Sequence, residues 1–147
     1  MEQKDKELIL KDLSQRLPYG VDCLVEHNGE HLDSIITVDV TTHVVFTDVG
    51  NCWLELDFIK PYLRPLSSMT EEEKKEFAEV TGGNCSFIDA RGNFFIDFGE
   101  FICEGSPVSL SRIVYVTNWL YAHYFDVNDL ISKGLAVEAP KDYVCNL

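Results

Sequence analysis

The stretch VDCLVEHNGEHLDSIITVDV, residues 21 to 40, gathers Cys23, His27, His31 and five acidic residues within twenty positions. Such residue types bind zinc when a fold brings them to one point. The same stretch holds Asn28-Gly29, the strongest two-residue turn signal. If that pair is the turn, His27 opposes Glu30, Val25 opposes Leu32 and Cys23 opposes Ser34. His27 and His31 then point to opposite faces, so a zinc shared with Cys23 would need a different hairpin. The ordinary hairpin is the favoured reading, with Cys23 in the core and no metal site.

Other chemistry-bearing groups carry weaker signals. Gly82-Gly83-Asn84-Cys85-Ser86 resembles a turn that could present a thiol, with His123 as its base. A helix end running into a strand explains it more simply. Asp89 and Asp97 flank another turn, and paired carboxylates serve hydrolysis or magnesium binding. With 25 acidic residues, however, some pairs must fall close by chance. No phosphate-binding glycine motif occurs. No catalytic residue, metal ligand or cofactor is therefore assigned, and the chain reads as non-enzymatic in preference to enzymatic.

The elements that must position these residues are legible from periodicity. Residues 3–17 form a helix with Ile9, Leu10, Leu13 and Leu17 on one stripe, stopped by Pro18-Tyr19-Gly20. A four-stranded meander spans 21–58, with strands near 21–27, 30–40, 43–49 and 52–58 and a second turn at Gly50-Asn51. Alternation sends Val21, Cys23, Val25, Leu32, Ile36, Val38 and Val40 to the core. In the second hairpin Val49 opposes Cys52, and Val45, Leu54, Leu56 and Phe58 face inward.

Residues 59–66 read as a short turn or 3-10 piece. Thr70 with Glu73 makes a capping box for a surface helix over 71–80, with a Glu71–Lys75 pair on it. A hairpin spans 86–103 around Arg91-Gly92, its register open. Helices follow at 111–124, with Ile113, Val116, Leu120 and Tyr124 on its stripe and the deepest burial, and at 127–133, capped by Asp126 and closed by Gly134. This is a single α+β domain over 1–147, and its antiparallel meander suggests an SH3-like, partly open barrel with helices added.

Composition limits function. The 147 residues carry a net charge of −13, which argues against direct nucleic-acid binding by a basic surface. No apolar run is long enough to span a membrane, the start is charged and helix-like, and five cysteines lack any CxxC pair, so a cytoplasmic protein with reduced thiols is expected. The charge is uneven: between Arg16 and Lys60 there is no lysine or arginine, but there are eight acids. The meander register places Asp22, Glu26, Asp33, Asp39, Asp48, Glu55 and Asp57 on its outer side, with Phe46 and Trp53 among them. Those nine residues form a candidate surface for a basic protein partner, in its sharpest form as a nucleic-acid mimic.

Three stretches, LKDLSQRLPYG at 10–20, IKPYLRPLSSMTEEEKKEF at 59–77 and NWLYAHYFDVNDLISKGLAVEAP at 118–140, resemble a family of small uncharacterised proteins of phages and mobile elements from gut anaerobic bacteria. The resemblance implies an intracellular phage or prophage accessory protein, and transfers no site. The alternatives are a small metal-dependent hydrolase built on clustered carboxylates such as Asp89 and Asp97, and a self-associating assembly component.

Overall fold

The structure, a computed structural model, describes residues 1–81, 85–87, 94–96, 110–140 and 143. Helix α1 (Gln3–Arg16) buries Ile9, Leu10 and Leu13, as its periodicity predicts. It passes into a 3-10 turn at Leu17–Tyr19, and Gly20 ends that turn at φ 85°, where a Cβ would be strained.

The chain then lays down β1 (Asp22–Glu26), β2 (Glu30–Asp39), β3 (Val44–Thr47), β4 (Cys52–Glu55) and β5 (Ile59–Leu63). Helix α2 (Glu71–Val80), the pair β6 (Cys85–Phe87) and β7 (Phe94–Ile96), helix α3 (Leu110–Ala122) and β8 (Val137–Glu138) follow. Six strands form one sheet in the order β4-β3-β2-β1-β5-β8, antiparallel except where β8 runs parallel to β5. The fold is α+β. Among the described residues no pairing joins β4 to β8, so the sheet stays open and does not close as a barrel.

The first hairpin differs from expectation by one residue. Glu26 pairs with Glu30, leaving His27, Asn28 and Gly29 as a three-residue loop with Asn28 at φ 57° and Gly29 at φ 101°. A shift of one reverses every side chain of the second strand. Asp33 and Ile35 therefore face inward, while Leu32 and Ile36, expected in the core, are each 51% exposed. Val40 is likewise exposed. Ile36 is the extra residue of a bulge between Ile35 and Thr37, which restores the phase so that Val38 meets the buried Val45.

The second hairpin differs by two residues, Thr47 opposing Cys52 in place of Val49, and a shift of two keeps the faces. Val45, Leu54 and Leu56 are buried as expected, but Phe58 is exposed. Residues 59–63, read from the sequence as a turn, form β5 between β1 and β8, with Pro61 opposite Cys23.

Two apolar clusters result. One joins α1 to the inner sheet face through Ile9, Leu13, Cys23, Val25, Ile35, Val45, Leu56 and Leu63. The other joins α2 to α3 through Met69, Phe77, Val116, Trp119, Leu120 and Phe125. The capping box forms at α2: Glu73 N–H donates to Thr70 Oγ1 and Thr70 N–H to Glu73 Oε1, each at 3.1 Å. The surface ion pair there joins Glu71 to Lys74, not Lys75, at 3.1 Å.

Helix α3 stops at Ala122 because Tyr124 turns left-handed, φ 64°, in a Schellman cap in which Phe125 N–H donates to Leu120 O. Its Val116, Trp119, Leu120 and Tyr121 are buried, whereas Ile113, Val114 and Tyr115 are exposed, so only its second half is a core helix. The helix expected at 127–133 is a run of turns. Asp129 at φ 59° breaks it, although Asp126 caps it by accepting Leu130 and Ile131 N–H at 2.8 and 2.9 Å. In the later hairpin Phe87 opposes Phe94, whereas a two-residue turn at Arg91-Gly92 would oppose it to Ile96; the turn itself and residues 97–103 lie outside the described residues.

Candidate functional site

On the outer sheet face the antiparallel registers set apolar side chains opposite one another in two places. Leu24 of β1 opposes Leu32 of β2, and Ile36 and Thr37 together oppose Phe46 of β3, which opposes Trp53 of β4. Leu32 and Ile36 lie four residues apart on β2, about 13 Å along the strand, so these are two separate apolar groups with Ser34, bonded to the buried Asp22, between them. Phe46 and Trp53 pack edge to face, ring centroids 5.3 Å apart, yet Trp53 remains 52% exposed. Glu30 is exposed on the strand of Leu32, Glu55 on the strand of Trp53, and Asp48 in the turn that joins β3 to β4.

The remaining carboxylates of the candidate surface are committed elsewhere. Asp22 is buried and accepts the Ser34 hydroxyl at 2.6 Å and the Tyr143 hydroxyl. Glu26 lies 3.6 Å from Lys60 Nζ on the neighbouring strand. Asp39 accepts Thr41 and Thr42 N–H in the β2–β3 turn, which holds its carboxyl below the usual range. Asp57 binds the Met1 ammonium at 3.1 Å and Lys6 Nζ at 3.0 Å, pinning the start of α1. Its carboxyl too is lowered, first by the Lys6 hydrogen bond.

Asp33 departs furthest from expectation. Placed inward by the one-residue shift, it accepts N–H from Ser34, Val49 and Gly50, each at 2.8 Å, and so caps the β3–β4 turn. Burial opposes its charge, but the Val49, Gly50 and Ser34 amides prevail and lower its pKa. The turn is tight enough that a Cβ on Gly50 would lie 2.9 Å from Thr47 Oγ1.

The chemistry raised by residues 21–40 resolves into structure. Cys23 is fully buried, and burial, then Asp33 and Asp22, push its thiol up to about 12. His27 packs against Phe58, and His31, which shares the face of Asp33 and turns inward with it, has Nε2 3.8 Å from that carboxylate. Among the described residues no three His, Cys, Asp or Glu side chains are grouped to hold a metal. His123 stacks on Trp119 with centroids 3.9 Å apart, its Nδ1 2.8 Å from Trp119 O. Asp89, Asp97 and the side chain of Cys85 lie outside the described residues.

A polar framework not anticipated from the sequence centres on Phe125. Arg16, fully buried, donates to both Asp12 oxygens at 2.6 and 3.0 Å and to Phe125 O at 2.7 Å. Asn128 bridges Asp12 to the Tyr121 hydroxyl. Arg64 lies over the Phe125 ring, 4.5 Å from its centroid, and grips Glu73 through two 2.8 Å bonds. Burial works against the Glu73 charge, yet its bonds with Arg64 and Thr70 leave its pKa lowered. The signal that could have revealed the first pair is Asp12 and Arg16 at i,i+4, beside the apolar stripe of α1.

Compared with family models, curated proteins and solved structures, the chain matches none. The framework around Phe125 draws together residues of segments 10–20, 59–77 and 118–140, and Leu32, Ile36, Phe46 and Trp53 lie outside those segments. Among the described residues no helix is long and apolar enough to cross a membrane.

Proposed function

We propose that this chain is a non-enzymatic protein-interaction module, an intracellular accessory protein of a phage or mobile element that engages a basic protein partner through its outer sheet face. The observation that carries this reading is the exposed Trp53, packed on Phe46 with the exposed Ile36 beside it on β2, and with the exposed Glu55 on its own strand. Aromatic anchors inside a charged rim are the usual anatomy of an interface. The face is narrower than the meander suggested: Asp22, Asp33, Asp39 and Asp57 serve the fold, and Glu30, Asp48, Trp53 and Glu55 are left to meet a partner.

The charge selects the partner's chemistry. Eight acids and no lysine or arginine between Arg16 and Lys60 repel acidic surfaces and steer basic ones, including proteins that handle nucleic acid. Apolar contact at Trp53 then supplies the part of the attraction that salt does not screen. The test is affinity purification of the tagged chain from a gut anaerobe, with bound proteins identified by mass spectrometry at low and high salt. A basic partner weakened by salt supports the reading. Recovery of no specific protein contradicts it.

A further inference from the structure

We infer that the partner binds by adding an extended strand to the edge of β4, a strand that alternates apolar with lysine or arginine residues. This rests on the interaction reading above and specifies its geometry. Strand β4 ends the sheet, and among the described residues it pairs only with β3. Alternate amides of an edge strand point away from the sheet and can bond an incoming chain.

Edges of this kind are normally blunted by lysine, proline or a bulge. The other edge, β8, is two residues long and is followed closely by Pro140. Strand β4 has no such guard: there is no lysine, arginine or proline from Tyr19 to Ile59, and the bulge sits two strands inward, on β2. Its four residues, Cys52–Glu55, allow only a short ladder, so backbone bonds alone would hold a partner weakly. Trp53, on the outer face of the same strand, supplies the side-chain grip, and the exposed Glu55 at the end of β4 favours cationic side chains on the added strand.

The experiment is selection of short random peptides on the intact protein, followed by amide hydrogen exchange and Trp53 fluorescence with the selected peptide. The expected result is a peptide alternating apolar and basic residues that slows the outward amides of β4 by about tenfold or more. Binding should be lost in Trp53→Ser. A peptide that changes Trp53 fluorescence but leaves the β4 amides unprotected overturns strand addition and leaves the outer-face reading standing. Failure to select any peptide, or selection of acidic ones, overturns the inference as well, while the lysate experiment separately decides whether the face binds a protein.

Discussion

Replacing Asp33 by asparagine keeps the shape of the side chain and removes its charge and one of its two acceptors. In the native protein one carboxylate oxygen takes the Ser34 and Val49 amides and the other takes Gly50. Either orientation of an asparagine amide turns an NH₂ group toward a backbone donor. A hydrogen bond to a charged group contributes about 1.5–3 kcal/mol, so D33N should cost roughly 2–3 kcal/mol at pH 7. For a chain of this length each kcal/mol moves Tm by roughly 2–4 °C, which predicts a fall of about 5–10 °C.

The pH dependence supplies an independent check. Asp33 has a lowered pKa in the folded state, so its contribution is complete above the unfolded carboxyl value near ~3.9 and is lost as pH falls through the folded value. The gap between wild type and D33N in urea unfolding should therefore be full at neutral pH and shrink on strong acidification. Equal midpoints at pH 7, or a gap that widens in acid, would refute the turn-capping account and return Asp33 to the surface.

Arg16→Ala, which strands the Asp12 carboxylate in a buried site, should lower stability in urea unfolding by about 3–5 kcal/mol, and the paired change Asp12→Leu with Arg16→Met should restore most of it. Leu32→Lys should change stability by no more than ~0.5 kcal/mol, whereas Ile35→Ala should cost roughly 2–4 kcal/mol; the reverse ranking would support the two-residue turn at Asn28-Gly29. With its thiol pushed up to about 12, Cys23 should resist alkylation at pH 8 in the folded protein and label only after unfolding, as read by peptide mass spectrometry.

The elements that follow from local chemistry were legible in the sequence. The apolar stripe of α1 and the Thr70–Glu73 box of α2 are written within a few residues of one another. Register was not legible, because Asn28-Gly29 fits a two-residue and a three-residue loop and only the sheet as a whole decides between them. That one residue moved Asp33 inward and Leu32 outward, while Asp22, Asp39 and Asp57 were drawn into fold chemistry by hydrogen bonds and ion pairs that alternation does not reveal. Phe46 and Trp53 stayed on one face because a slip of two preserves parity, and that slip is what brings them directly opposite each other. Strand β5 was hidden by Pro61, which signals a turn locally yet sits within the sheet. The arginine framework around Phe125 joins positions more than a hundred apart in sequence, and local periodicity carries no trace of such contacts.

The most direct test of the interaction account compares wild type with Trp53→Ser and with a combined Asp48→Asn, Glu55→Gln variant in the lysate purification, after unfolding curves establish that each is folded. The account predicts one basic partner, recovered at low salt by wild type, lost with Trp53→Ser, and weakened with the charge variant. Equal recovery of the same proteins by all three would contradict it and remove the outer sheet face as the binding surface.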